Sequence, residues 1–195
     1  MDHDHHNGHH EHHWDEESYG HMARRRVEII DVKSLLDFME IKKNETIIDV
    51  GSGDGFYSIL FSEHCNNVVS LDKSADGIEL ERKKLTEKGI KNVTALKLDL
   101  CQSSDVPLGD RIFFSTSFHD FPCKEELISK FCDGVSPKFT LVEFHKNSEV
   151  GPPAEIKISP DELDHIFHEK GYERTRFLSH DHIYMATYER KKSSM

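Results

Sequence analysis

A glycine-rich segment at residues 49–55 reads Asp-Val-Gly-Ser-Gly-Asp-Gly and lies between a predicted strand and a predicted helix. Glycines reach positive φ and let the backbone approach a ligand closely, because no Cβ stands in the way. The helix that follows presents unpaired backbone amides. Asp72 ends the next predicted strand, 17 residues after Gly55, where a carboxylate can accept hydrogen bonds from ribose hydroxyls. Asp99 ends the third predicted strand and can accept from an adenine amino group, so the pattern predicts a nucleoside site.

Both carboxylates also have a simpler explanation. Asp72 and Asp99 can cap the segments that follow them, as Asp commonly does. Turns are rich in glycine, so a glycine loop alone is a weak signal. The combination of the loop with two acids at strand ends favours the nucleoside site.

His119 is the candidate catalytic residue. It follows the fourth predicted strand, at the edge where substrates enter such sheets. A neutral imidazole there can take a proton from a phenol, enol or hydroxyl nucleophile. The alternative is that His119 and Asp120 belong to a strand-to-helix turn fixed by local hydrogen bonds.

The elements that must position these residues alternate along the chain. Short β-branched or apolar runs predict strands at 46–50, 68–71, 93–98, 111–115 and 139–144, and two final runs at 173–178 and 183–188 predict an antiparallel hairpin. Helical patterns lie between them, including 75–88 before Gly89 and a helix with a capping-box start at Ser159 and Glu162. Strand–helix alternation predicts an α/β fold with a doubly wound, mostly parallel sheet.

Composition narrows the classes of protein. The chain has 195 residues and a net charge of −11, and the length suits one domain. No run of about 18 apolar residues predicts a membrane span, and no secretory signal is visible. Net negative charge disfavours nucleic acid as a partner. The four cysteines form no C-x-x-C pair, so we expect reduced thiols in a cytoplasmic protein.

With these residues in view, the chain resembles a class I S-adenosylmethionine-dependent methyltransferase over about residues 24–190. The resemblance rests on the acidic-x-Gly-x-Gly-x-Gly loop and the closing hairpin, and it implies a Rossmann-like, seven-stranded sheet. It implies that Asp49 and the glycine backbone hold the methionine end of the cofactor, Asp72 the ribose, and Asp99 with Leu100 the adenine. The cofactor-binding residues so implied are Asp49, Gly51, Ser52, Gly53, Gly55, Asp72, Lys73, Asp99, Leu100 and Ser115.

The segment from Ser115 to Pro122 resembles the "Leu-His-Asp" segment of the type 11 branch, which includes quinone-biosynthesis methyltransferases. The resemblance implies methyl transfer to a small-molecule acceptor, or to a protein. The motif of enzymes that methylate the amines of nucleic-acid bases is missing. Two alternatives stay open: an NAD-linked oxidoreductase on the same sheet, and a non-enzymatic metal-binding protein on a methyltransferase-like scaffold.

Residues 1–21 are expected to form a disordered tail, with the domain at 22–195. The tail holds eight of the 15 histidines and six Asp or Glu residues, without Lys or Arg. Such a tract can bind Ni²⁺ or Zn²⁺ weakly, but its irregular spacing implies no fixed metal site. More than half of the net charge therefore belongs to this tail.

Overall fold

The computed structural model describes residues 28–191, and seven segments of this range are strands. They are β1 (Thr46–Val50), β2 (Asn67–Asp72), β3 (Val93–Lys97), β4 (Arg111–Ser115), β5 (Lys138–Phe144), β6 (Tyr172–Ser179) and β7 (Ile183–Arg190). They form one sheet in the order β3-β2-β1-β4-β5-β7-β6. The first five strands are parallel, and β7 runs antiparallel to both β5 and β6. The predicted Rossmann-like sheet with a closing hairpin is confirmed.

Five α-helices and one 3₁₀ turn lie wholly within the described range. They are α1 (Val32–Met39), α2 (Phe56–Ser62), α3 (Ala75–Lys88), the 3₁₀ turn (Phe118–Asp120), α4 (Lys124–Phe131) and α5 (Pro160–Glu169). Helix α3 ends at Gly89, which has φ 65° as a left-handed cap requires. Helix α5 begins with the predicted capping box, in which Ser159 and Glu162 exchange hydrogen bonds.

The central strands are buried on both faces. Ile48 and Phe114 belong to one apolar cluster with side chains of α4 and α5, whereas Ile47 and Phe113 belong to a second cluster with α1 and α2. Because helices cover both faces, these strands read as continuous apolar runs rather than as alternating patterns. The helices thus cover both faces of the central strands, whose carboxyl ends lie at one edge of the sheet.

The expectation of four reduced cysteines is wrong for two of them. Cys101 and Cys123 form a disulfide with a Cα–Cα distance of 5.8 Å, while Cys65 and Cys132 are free. The two half-cystines lie 22 residues apart, on the segment after β3 and just before α4. The fold brings these two segments together at one edge of the sheet, which their spacing in the sequence does not reveal.

The predicted tail at 1–21 lies outside the described residues. Among residues 28–191, no helix combines the length and the apolar character that crossing a membrane requires.

Replacing Cys101 and Cys123 together by Ser is expected to lower the free energy of unfolding by about 3 kcal/mol, since the bond closes a loop of 22 residues and restricts the unfolded chain. Urea titrations of the natural and double-variant proteins measure this difference. Dithiothreitol should destabilise the natural protein and leave the variant unchanged. Equal midpoints for both proteins, with and without the reductant, would contradict the disulfide's role.

Candidate functional site

Two other segments of the chain pack closely against the glycine loop between β1 and α2. Gly51 has φ 72° and Gly55 has φ 80°, a region that other residues rarely adopt. A Cβ on Gly51 would lie 2.7 Å from the Cβ of Ser117, and one on Gly55 would overlap the side chain of Glu81. Glycine at these positions is therefore required by the close approach of the chain after β4 and of α3.

Asp72 at the end of β2 fixes the loop by hydrogen bonds. Its Oδ2 accepts from the backbone N–H of Gly53 at 2.8 Å, and its Oδ1 accepts from the N–H of Ser74 at 2.8 Å. A carboxylate has about four acceptor positions, so Asp72 keeps capacity for further donors. The capping and the ligand-binding interpretations are thus compatible for this residue.

Asp49 lies beneath the loop rather than on its surface. The residue is 2% exposed, and its Oδ2 accepts a hydrogen bond from the Ser58 hydroxyl at 2.6 Å. Ser58 belongs to α2, so the contact ties the end of β1 to the helix that follows the loop. Asp49 therefore sets the position of the glycine backbone from below.

The position predicted for Asp99 needs a correction. Strand β3 ends at Lys97, so Asp99 lies two residues beyond the strand and is exposed. Its Oδ1 accepts from the N–H of Cys101 at 3.1 Å, and its carbonyl accepts from two later amides of the turn. The chain leaves the sheet after Leu98 and turns at once, whereas an apolar residue at 98 suggested a longer strand. Leu100 is buried, and its carbonyl accepts from the Lys130 ammonium at 3.1 Å.

The segment at the end of β4 contains a buried hydroxyl group without a hydrogen-bond partner and a non-glycine residue with positive φ. The Oγ of Ser115 is buried and has no hydrogen-bond partner among the described residues. Thr116 has φ 50°, which is rare for a β-branched residue and is typical of functional sites. Ser117 then donates from Oγ to the carbonyl of Val50 at 2.9 Å. The chain after β4 is thereby attached to the residue that begins the glycine loop.

Two further residues of the predicted set flank the loop. Ser52 is 5% exposed, and its hydroxyl donates to Oε2 of Glu81 at 3.3 Å. Lys73 is exposed beside Asp72. All ten predicted cofactor residues thus belong to the loop or to the segments where β2, β3 and β4 end, the same edge of the sheet.

Glu81 of α3 is a buried carboxyl group that sequence reasoning missed. The residue is fully buried against Gly55, and burial raises the pKa of its carboxyl group to about 7, with the Asp49 charge adding to the shift. Its surroundings in the sequence, Glu79-Leu80-Glu81-Arg82, suggest a solvated charged helix. Only its spacing from the buried positions Ile78 and Leu85, three and four residues away, points inward.

His119 is held by a residue from the neighbouring strand. Its Nδ1 lies 2.7 Å from Oε2 of Glu143, and both side chains are almost fully buried, at 4% and 1% exposure. The other carboxylate oxygen of Glu143 accepts from the backbone N–H groups of Phe118 and His119 at 3.0 and 3.3 Å. The turn interpretation is correct in that His119 lies in a 3₁₀ turn, but its ring is fixed by a residue 24 positions away.

The His119–Glu143 pair sets the charge of the ring. Burial lowers the pKa of the His119 imidazole, but the hydrogen bond and charge of Glu143 outweigh it, so the pKa is raised above its ordinary value. With Nδ1–H donated to Glu143, the lone pair of a neutral ring lies on Nε2. Nε2 lies 3.5 Å from Oδ1 of Asp120, a side chain that is mostly exposed. Such an imidazole can accept a proton at Nε2. Sequence reasoning missed Glu143 because it lies inside an apolar strand run.

A cleft of about 680 Å³ opens beside His119 and is called here the α5 cleft. The 3₁₀ turn, the segment between β5 and α5, and the first turns of α5 line it. Its lining includes His119, Lys124, Ile156, Lys157, Ile158 and Ile166. Its size falls in the range of small-molecule sites.

A scan against family models matches residues 41–171 to a family described as "Methyltransferase domain". Among curated proteins, a protein-L-isoaspartate O-methyltransferase of Rhizobium meliloti is 28% identical over 91 residues, which is 45% of this chain and 44% of that protein. The chain thus matches less than half of the length of this curated relative.

Two solved structures have similar folds. A SAM-dependent methyltransferase from Aquifex aeolicus has a TM-score of 0.79 and 22% identity, covering 91% of this chain and 99% of that chain. The magnesium protoporphyrin IX methyltransferase of Synechocystis PCC 6803, solved with bound SAM, has a TM-score of 0.65 and 17% identity, covering 90% and 82% of the two chains. At these identities the likeness concerns the fold.

Glu81 gives the protein a pH-dependent stability. The pKa of its carboxyl group is about 7 in the folded state and near 4.5 when the group is exposed in the unfolded chain. The stability that this group contributes is therefore fully present below pH 4.5 and is lost as the pH rises to 7. We expect Glu81→Gln to remove this loss and to be more stable than the natural protein at pH 8 by roughly 3 kcal/mol. Urea unfolding of both proteins at pH 5 and pH 8 measures the change. A difference that is the same at both pH values would show that Glu81 does not titrate in this range.

Proposed function

Because the chain belongs to the methyltransferase-domain family, we propose that it transfers a methyl group from S-adenosylmethionine to a small-molecule acceptor. The observation that carries the proposal is the glycine loop, whose Gly53 amide is bound to the carboxylate of Asp72. The family match favours neither the NAD-linked oxidoreductase nor the non-enzymatic metal-binding protein.

The residues present fit the cofactor. The loop offers a cradle that a Cβ at Gly51 or Gly55 would fill, and the buried Oγ of Ser115 is an orphaned polar atom at the same edge. In the proposal, Asp49 and the glycine backbone hold the methionine end, and Asp72 with Lys73 holds the ribose. Asp99 and the backbone of Leu100 contact the adenine, for which the exposed carboxylate of Asp99 leaves an oxygen available.

The α5 cleft supports a small-molecule acceptor over a protein. It is an open depression of small-molecule size beside His119. We also place the chain in the type 11 small-molecule branch on the strength of the Ser115–Pro122 segment. The curated relative's name describes methylation of a protein carboxyl group, so a protein acceptor is the second candidate.

His119 is the proposed general base, and Glu143 is its positioning residue. Bound S-adenosylmethionine supplies an electrophilic methyl group on a positively charged sulfur. When the acceptor hydroxyl is methylated, Nε2 of His119 would accept the hydroxyl proton, while Glu143 holds the ring through Nδ1. The protein's main task is to hold the acceptor in line and to receive this proton.

A cytoplasmic location and weak Ni²⁺ or Zn²⁺ binding by residues 1–21 also stay proposals. The seven histidines at positions 3–13 support the metal binding. The disulfide between Cys101 and Cys123 removes the reduced-thiol argument for the cytoplasm.

Asp72→Ala is expected to weaken binding of S-adenosylhomocysteine by about 10- to 100-fold, because hydrogen bonds to a charged group are each worth about 1.5–3 kcal/mol. Calorimetric titration measures the affinity. Glu87→Ala removes the same charge from an exposed position near the far end of α3 and serves as the control. Unchanged affinity in Asp72→Ala would refute the ribose assignment. A folded natural protein that binds neither S-adenosylmethionine nor S-adenosylhomocysteine at millimolar concentration would refute the function.

His119→Gln is expected to lower kcat for a hydroxyl acceptor by about 10²- to 10⁴-fold while leaving S-adenosylhomocysteine affinity unchanged. Activity requires the neutral imidazole, so the rate should rise with pH through the raised pKa of His119. Glu143→Gln keeps an acceptor oxygen but removes the charge that raises this pKa, so the acidic limb of the profile should move to lower pH. Rates come from S-adenosylhomocysteine release. If the acidic limb of the profile lay at the same pH in Glu143→Gln as in the natural protein, Glu143 would not set the pKa of the catalytic base.

A further inference from the structure

The acidic side chains of the α5 cleft are exposed, whereas two of its lysines are covered. Its carboxylates, Glu155, Asp161 and Glu162, are all exposed at the rim, and Glu162 is paired with Lys146 at 2.6 Å. Its inner cations are covered, since Lys157 is 4% exposed and Lys124 is partly buried. The interior of the cleft is therefore more positive than its mouth.

Neither inner lysine is in direct contact with a carboxylate within the part of the chain that the structure describes. The ammonium of Lys157 donates to the carbonyl of Ser148 at 2.6 Å and lies 5.9 Å from the ring centre of Phe144. The ammonium of Lys124 donates to the carbonyls of His119 and Phe121 at 2.9 and 2.5 Å. No described carboxylate lies within 4.0 Å of either nitrogen, and burial lowers the pKa of Lys124.

A covered ammonium group without a counter-ion is costly, and it is commonly matched by a bound anion. The charges of Glu125, Glu143 and Asp120 act on Lys124 only from a distance, and the two oxygens of Glu143 accept from the His119 ring and two backbone amides rather than from a lysine. The space between the lysines and the rim is lined by Ile156, Ile158 and Ile166. This combination suits a ligand with an apolar body and one anionic group.

The two lysines flank the proposed base. The ammonium of Lys124 donates a hydrogen bond to the His119 carbonyl. The ring of Phe144 is near both His119 and Lys157, since its centre lies 6.5 Å from the centre of the His119 ring and 5.9 Å from the Lys157 ammonium. His119 in turn follows Ser117, which packs on Gly51 of the glycine loop. A ligand that reaches both the lysines and His119 thus lies next to the proposed cofactor site.

We propose that the α5 cleft binds the methyl acceptor and that this acceptor is a hydroxylated aromatic carboxylic acid, with its carboxylate at Lys157 and Lys124 and its hydroxyl at His119. The inference rests on the proposed methyl-transfer function and adds the substrate class. A phenol is favoured over an alcohol, because a phenolic proton with a pKa near 10 is within reach of an imidazole base. The isoleucines contact the ring.

Binding of matched acids and esters to the full chain saturated with S-adenosylhomocysteine tests the inference. The probes are the three hydroxybenzoates and 4-hydroxycinnamate, each compared with its neutral methyl ester by calorimetry. At least one acid should bind tenfold or more tightly than its ester, and only the acid should weaken as NaCl is raised. Lys157→Gln, which keeps a donor for the Ser148 carbonyl, should abolish the preference. Lys88→Met removes one positive charge at the far end of α3 and should leave it intact.

The outcomes separate the two proposals. Failure to bind S-adenosylhomocysteine defeats the methyltransferase proposal itself. Normal S-adenosylhomocysteine binding together with equal affinity for acid and ester, or with no binding of any acid at 10 mM, overturns the substrate class alone. If Lys157→Gln loses its fold, as its S-adenosylhomocysteine binding would reveal, the acid–ester comparison and its salt dependence in the natural protein decide the matter.

Discussion

The site depends on the reversal of strand order between β1 and β4. Chain order proceeds outward from β1 to β2 and β3 on one side, while β4 and β5 lie on the other. The segments that leave β1 and β4 therefore turn toward opposite faces and open a crevice between them. Ser117 joins the two sides of this crevice by its hydrogen bond to the carbonyl of Val50, so the segment that carries His119 is attached to the start of the glycine loop.

Asp49, Glu81 and Glu143 are buried carboxyl groups near this crevice, and they meet the cost of burial in different ways. Asp49 accepts from a serine hydroxyl, and Glu143 accepts from an imidazole and two amides. Oε1 of Glu81 has no hydrogen-bond partner among the described residues, and this carboxyl group keeps its proton to a higher pH instead. A carboxyl group rich in donors stays charged and can orient its neighbours, whereas one poor in donors acts as a neutral packing group.

Much of the fold could be predicted from local patterns. The apolar runs of β1 and β4, the capping box of α5 and the glycine loop each follow from residues close in sequence, and the structure agrees with the predicted fold. Other features depend on distant pairs. The Cys101–Cys123 disulfide and the His119–Glu143 pair each join residues more than 20 positions apart. The end of β3 was predicted one residue too late, at Leu98 instead of Lys97, because an apolar residue does not reveal where the ladder ends. Glu81 was missed because its neighbours in sequence are charged.

The position of β7 also affects how the chain reaches its final form. This strand lies between β5 and β6, although it is the last of the seven along the chain. Until residues 183–190 have been synthesised, the outer edge of β5 has no permanent partner, and β6 can reach the sheet only through β7. An unpaired edge of this kind invites pairing with other chains. The nascent protein thus carries an open, apolar strand until its C-terminal hairpin emerges from the ribosome and docks.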